Sequence, residues 1–154
     1  MAEKKAKVAI VEDDFLLAHE WMKALKKRGY DASHHATIDT GIAHCTRDWP
    51  DVVVLDAFFE ITDGQLSNRG GVTFCAELSW VAKSTDRQMP IVIGVSGARV
   101  SKYMPRHVFE TISREIMPVR LTKPFSLNSL VEEIGKLIGH DTTIESGVQS
   151  HRAP

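Results

Sequence analysis

Acidic, hydroxyl and ammonium side chains follow short apolar runs at four places in this 154-residue sequence. They are Glu12, Asp13 and Asp14 after KVAIV, Asp56 after VVVL, Ser96 after IVIGV, and Lys123 after RLT. Carboxylates gathered at one place repel one another, and a cation between them removes the repulsion. Mg²⁺ suits such a group because it takes one or two carboxylates and retains waters and phosphate oxygens as further ligands.

Asp56 has the chemistry of a phosphoryl acceptor. A carboxylate can attack phosphorus to form an acyl phosphate, and the barrier lies mainly in charge on the equatorial oxygens and in-line positioning. Mg²⁺, the Lys123 ammonium and the Ser96 hydroxyl with nearby backbone N–H groups would neutralise those oxygens. The sequence therefore predicts a phosphoryl-transfer site around Asp56.

Each of these residues also has an ordinary structural interpretation. The three acids after the first run suit a helix N-terminus, where the macrodipole favours negative charge. Ser96 suits a turn, and Lys123 suits the exposed end of a strand. For each residue considered alone, the structural interpretation stays open. The occurrence of all these residues together favours the phosphoryl-transfer site.

The elements that must position these residues alternate along the chain. Apolar or β-branched runs predict strands at KVAIV (7–11), YDASHHA (30–36), DVVVL (51–55), PIVIGV (90–95) and PVRLT (118–122). Helical patterns lie between and after them, at residues 15–28, 40–49, 71–83, 101–117 and 126–139. This order predicts an α/β fold, a doubly wound five-stranded parallel sheet in a three-layer sandwich, with chemistry at the carboxyl ends of the strands.

The chain divides into an N-terminal extension (1–6), one domain (7–139) and a polar C-terminal tail (140–154) that we expect to be flexible. The segment 57–70, AFFEITDGQLSNRG, is longer than a usual βα loop, and its length suggests a role in function.

Composition excludes several functional classes. Lys and Arg total 19 against 20 for Asp and Glu, which gives no indication of a nucleic-acid partner. The sequence contains no apolar run long enough to span a membrane and no signal sequence, which predicts a cytoplasmic protein. Cys45 and Cys75 lack metal-ligand spacing and are expected to be buried thiols. The seven histidines show no ligand pairing either, and we expect them at the surface.

The motifs VAIVEDD, VVVLDAFF, IVIGVSGA and LTKPF together resemble the receiver domain of two-component response regulators, with a flavodoxin-like (βα)5 fold. The resemblance covers residues 7–139. It implies that Asp56 accepts the phosphoryl group, that Glu12, Asp13, Asp56 and the Phe58 carbonyl hold Mg²⁺, and that Ser96 and Lys123 contact the transferred group. It further implies a cis bond before Pro124.

The resemblance implies a stand-alone signalling domain with no turnover of a substrate other than its own phosphorylation. A sensor histidine kinase or a histidine phosphotransfer protein would donate the phosphoryl group. A downstream protein would bind the face formed by the fourth helix, fifth strand and fifth helix, which also serves homodimers in this family.

Two of the departures from the family pattern bear on whether the chain is phosphorylated. Arg120 stands where an inward-turning aromatic is usual, and a guanidinium is costly to bury. Residues 65–71 lengthen the loop after the acceptor. These features leave open a receiver-like scaffold that acts without phosphorylation. A hydrolase with an aspartyl-phosphate intermediate is a further alternative, but it would carry its nucleophile on the first strand.

Overall fold

A computed structural model describes residues 4–57, 60–62, 65–66, 70–96, 117 and 119–150, and side chains are described up to Gly139 apart from the two short strands β4 and β5. The strands are β1 (Lys7–Val11), β2 (Asp31–His35), β3 (Val52–Asp56), β4 (Glu60–Thr62), β5 (Gln65–Leu66), β6 (Ile91–Ser96) and β7 (Val119–Thr122). The helices are α1 (Phe15–Lys27), α2 (Ile38–Arg47), α3 (Gly71–Ser84) and α4 (Leu127–Ser150). The fourth predicted helix, at 101–117, lies outside the described residues except for Met117.

Five strands form one parallel sheet in the order β2-β1-β3-β6-β7. The order reverses at β1 and β3, which is the place where open α/β sheets bind ligands. This architecture confirms the predicted doubly wound fold. The predicted weak strand of residues 30–36 is also confirmed as β2, the edge of the sheet.

The sheet separates two apolar cores, and strand residues alternate between them because successive side chains point to opposite faces. Ala9, Val11, Val53 and Leu55 face the core that contains Ile38 of α2 and Phe74, Cys75 and Leu78 of α3. Val8, Ile10, Val52 and Val54 face the core that contains Trp21 and Leu25 of α1 and Leu130 and Ile134 of α4. Both faces of the central strands are covered, as the continuous apolar runs predict.

Helix ends follow the caps that the sequence provides. The Asp14 side chain caps α1 and accepts from the Leu17 N–H at 3.0 Å. Thr37 and Thr40 form a reciprocal capping box at the start of α2. Ser126 accepts from the Ser129 N–H at 3.0 Å, as expected for the N-cap of α4.

The predicted end of the last helix at Gly139 was wrong, because α4 continues to Ser150. Gly29 and Gly139 differ in backbone conformation. Gly29 follows α1 with a φ of 90°, a conformation that favours glycine and ends a helix, whereas Gly139 lies within α4. A glycine with helical φ lowers helix stability by about 0.5–1 kcal/mol without stopping the helix. Residues 140–150 contain no proline that would force a stop.

The segment 57–70, predicted as a loop, contains an antiparallel pair. Strands β4 and β5 pair through Glu60 with Leu66 and Thr62 with Gln65, separate from the main sheet. This long connection between β3 and α3 is therefore partly a hairpin.

Within the part of the chain that the structure describes, no helix has the length and apolar character to cross a bilayer.

Candidate functional site

Three carboxylates meet at the carboxyl edge of the sheet. Oxygens of Glu12, Asp13 and Asp56 lie within 4.8 Å of one another. Glu12 and Asp13 follow β1, and Asp56 ends the adjacent strand β3, so parallel pairing brings the side chains together. Asp14 serves instead as the N-cap of α1. The structure thus divides the acidic triplet into a structural residue and two members of the cluster.

Glu12 and Asp56 are buried, at 0% and 6% exposure, whereas Asp13 is exposed. One oxygen of Glu12, Oε2, accepts from the Asp14 N–H at 3.1 Å. The other, Oε1, lies 2.8 Å from Lys123 Nζ, but it makes no well-directed hydrogen bond with any described residue. A buried carboxylate oxygen with an ammonium beside it and no directed donor is suited to a further cation.

Among the described residues, Lys123 supplies the positive charge of the site. Its Nζ lies 2.8 Å from Glu12 Oε1 and 3.8 Å from Asp56 Oδ2. Burial lowers the pKa of this ammonium, but the carboxylates of Asp56 and Glu12 outweigh burial and raise it overall. Lys123 therefore stays charged and lies between the two buried acids.

Burial dominates the ionisation of Glu12. It raises the pKa of this carboxyl above its usual range, although Lys123 and the Asp14 N–H act in the opposite direction. The charged form of Glu12 is thus incompletely compensated by the described protein groups. A divalent cation bound to the cluster would complete the compensation.

Ser96 ends β6, next to β3 and β7. Its carbonyl accepts from the Lys123 N–H at 2.7 Å, while the neighbouring Val95 carbonyl accepts from the Ala57 N–H at 2.8 Å. These backbone bonds fix the three strand ends relative to one another. The peptide bond between Lys123 and Pro124 is cis, as expected.

Of two further residues singled out from the sequence, Arg120 is described by the structure and Phe58 is not. Arg120 of β7 is exposed, which agrees with the cost of burying a guanidinium. Phe58, predicted to offer its carbonyl to the metal, lies outside the described residues, so its role stays a prediction.

Sequence reasoning missed the contribution of two histidines. His34 Nε2 lies 2.8 Å from the backbone carbonyl of Glu12, within hydrogen-bonding distance, and the His35 carbonyl accepts from the Glu12 N–H at 3.1 Å. The rings of His35 and His44 pack at 4.3 Å on the other face of β2, where burial, together with nearby His44, lowers the pKa of His35 to about 4. The sequence signal for this arrangement is the alternation of side chains along a strand, which turns the adjacent residues His34 and His35 to opposite faces of β2.

The three-dimensional structure resembles known structures at low sequence identity. Comparison with protein-family profiles and with curated proteins gave no match. Among solved structures, the signal receiver domain of a putative LuxO repressor protein from Vibrio parahaemolyticus matches 94% of this chain and 98% of its own, with a TM-score of 0.67 and 21% identity. The chain has the receiver fold.

Two further structures support the receiver fold. A CheY-like response regulator receiver domain from Methanospirillum hungatei has a TM-score of 0.68 at 18% identity, with 91% of this chain and 98% of that chain covered. A putative response regulator from Chloroflexus aurantiacus has a TM-score of 0.67 at 18% identity, with 88% and 99% covered. In all three comparisons nearly the whole receiver fold is shared.

Proposed function

We propose that this protein is a response regulator receiver that accepts a phosphoryl group on Asp56. The observation that supports the proposal best is the cluster itself, in which Glu12, Asp13 and Asp56 offer oxygens within 4.8 Å and Lys123 lies beside the two buried acids. The position of the cluster at the switch in strand order, where open α/β sheets bind ligands, supports the proposal.

The donor set suits Mg²⁺, which would be held by Glu12, Asp13 and Asp56, with the Phe58 carbonyl as a further ligand. When bound, Mg²⁺ supplies neutralising charge to phosphoryl oxygens. The protein's own residues carry out the transfer of the phosphoryl group. An Asp56 oxygen attacks the phosphorus of a phosphohistidine, the P–N bond breaks, and the electron pair returns to the imidazole. The products are an aspartyl phosphate and a free histidine.

Lys123 and Ser96 act on the transferred group. The Lys123 ammonium, now shared by Glu12 and Asp56, is placed to pair with a phosphoryl oxygen on Asp56. The Ser96 hydroxyl, at the end of the neighbouring strand, would donate to a second oxygen.

The phosphoryl group would come from a sensor kinase or phosphotransfer protein in the cytoplasm. A downstream protein, or a second copy of the chain, would bind the face that includes β7 and α4.

Intact mass after incubation with acetyl phosphate tests the proposal. We expect one added phosphoryl group in the wild type with Mg²⁺, and none after removal of Mg²⁺ by EDTA or in Asp56→Asn. Asp86→Asn is the matched control, because Asp86 lies in a turn after α3 with a φ of 54°, which asparagine tolerates. It should be modified like the wild type. Absence of modification and of beryllofluoride binding in the wild type would contradict phosphorylation and favour the receiver-like scaffold.

A further inference from the structure

A cavity of about 640 Å³ opens at the amino edge of the sheet, opposite the carboxylate cluster. It lies where the chain enters β1, β3 and β6, beside Ala6, Pro50 and Pro90. Asp56 lies at the other end of the five-residue strand β3, roughly 16 Å away at about 3.3 Å per residue. The cavity is therefore separate from the proposed phosphoryl-transfer site.

The volume is that of a small-molecule site, since such pockets typically enclose about 300–1,000 Å³. Both helical layers contribute apolar walls. Trp49 and Met89 belong to the core beneath α2 and α3, while Leu137 and Ile138 of α4 belong to the other core. A ligand with an apolar body would contact both layers at once.

The charged groups of the cavity are mainly cationic. Among the residues that the structure describes, Lys4, Lys5 and Arg87 line it together with a single acid, Asp51. The Asp51 carboxylate already accepts from the Lys7 N–H at 2.7 Å. The excess of positive charge beside apolar walls is complementary to an organic anion.

Arg87 is held in place for such a ligand. Its guanidinium lies over the Trp49 ring, 4.8 Å from the centroid, and one N–H group donates to the Thr46 carbonyl at 3.2 Å. Trp49 is itself fixed because its indole N–H donates to the Gln88 carbonyl at 3.0 Å. A guanidinium has five N–H donors, so the bond to Thr46 leaves others for a carboxylate or sulfonate.

We propose that this cavity is a binding site for a small organic anion with an apolar, preferably aromatic, body. The anionic group pairs with Arg87 and the two lysines, and the body lies against Met89, Leu137 and Ile138. This inference does not depend on the proposed function, because none of its residues belongs to the carboxylate cluster.

Titration with naphthalene-2-sulfonate, followed by calorimetry, tests the site in the full chain. We expect one bound ligand per chain. The neutral analogue naphthalene-2-sulfonamide should bind on the order of tenfold more weakly, because it lacks the charge-assisted hydrogen bonds. In NMR spectra the indole N–H signal of Trp49 should shift, whereas that of Trp21, which packs on Phe125 in the opposite core, should not.

The double variant Lys4→Gln/Lys5→Gln should weaken binding roughly threefold to fivefold, the size expected for exposed ion pairs. Lys26→Gln/Lys27→Gln is the matched control, since these two exposed lysines lie in the last turn of α1 and change the net charge equally. It should leave affinity within about twofold of the wild type. Both pairs of lysines are exposed, so neither variant should affect folding.

Several results would overturn the site. These are no binding to the wild type, equal affinity for the sulfonamide, equal weakening in both lysine pairs, or a Trp49 signal that does not move. Displacement by inorganic sulfate at the same concentration would reduce the cavity to a simple anion site and contradict the role of the apolar walls.

Discussion

Glu12 combines complete burial with an oxygen that has an ion partner but no directed hydrogen bond within the described part of the chain. Burial raises its pKa despite Lys123, so its charge opposes folding in the absence of a metal. Function and stability thus make opposite demands on this residue. A metal ligand must be ionised, whereas an apolar environment favours the neutral form.

The substitution Glu12→Gln should therefore stabilise the metal-free protein. Glutamine keeps the size of the side chain and an oxygen for the Asp14 N–H. Its NH₂ group then replaces Oε1 beside Lys123 and cannot accept from the ammonium, which keeps Asp56, 3.8 Å away, as its partner. We expect a gain of about 1 kcal/mol in the free energy of unfolding, or about 3 °C in Tm, in thermal melts with EDTA.

Added Mg²⁺ should reverse this order. It binds the folded wild type and raises its Tm, whereas the variant has lost a ligand and gains less. Glu132→Gln, an exposed residue of α4, is the control and should match the wild type in both conditions. A variant that melts below the wild type in EDTA would show that the ion pair with Lys123 outweighs the cost of burial.

At the scale of elements, α2 approaches β1 closely at Gly41. A Cβ atom placed there would lie 3.0 Å from Val11 Cγ2 and 3.2 Å from Phe74 Cε2. Such distances require the neighbouring side chains or the helix itself to move. The glycine thus sets the separation between this helix and the strand that ends in the acidic cluster.

Gly41→Ala should destabilise the protein by about 1–3 kcal/mol through overpacking, which exceeds the gain in helix propensity. Gly135→Ala in α4 is the matched comparison, because a Cβ atom there would meet only Tyr30 Oη, at an ordinary 3.8 Å. This second variant should gain about 0.5–1 kcal/mol. Urea denaturation measures both, and a stabilised Gly41→Ala would contradict the tight contact.

The strands and their end residues were predictable because both depend on local pattern. A continuous apolar run such as VVVL specifies a central strand, and the residue after it, Asp56, must lie at the carboxyl edge. The preference of Lys123 for Glu12 over Asp56, at 2.8 Å against 3.8 Å, was not predictable. It depends on how far the ends of β1, β3 and β7 extend relative to one another, and the spacing of residues in the sequence does not specify that.

At the scale of the whole molecule, the described members of the two cores end at Ile138, although α4 continues to Ser150. Up to Gly139, where the side chains are described, Leu130, Val131 and Ile134 provide the buried contacts of this helix. The division of the chain at Gly139 was proposed from sequence and stays a prediction.

A chain that ends at Gly139 should fold and accept the phosphoryl group like the full chain. Its free energy of unfolding should lie within about 0.5 kcal/mol of the full-length value, because the buried face of α4 is retained. The far-UV circular dichroism should lose helical signal in proportion to the residues removed. A loss of more than about 2 kcal/mol would mean that residues 140–154 pack on the domain and that the predicted boundary is wrong.

The order of the strands along the chain has a consequence for how the protein folds as it is synthesised. Glu12, Asp13 and Asp56 belong to the first half of the chain, whereas Lys123 follows β7, the strand at the edge of the sheet. Synthesis runs from the N-terminus, so β1 and β3 are available to pair long before the ammonium exists. Apolar burial along these two strands must overcome the mutual repulsion of the acids until β7 docks, and arrival of the last strand is then the step that brings the Lys123 ammonium to the buried acids.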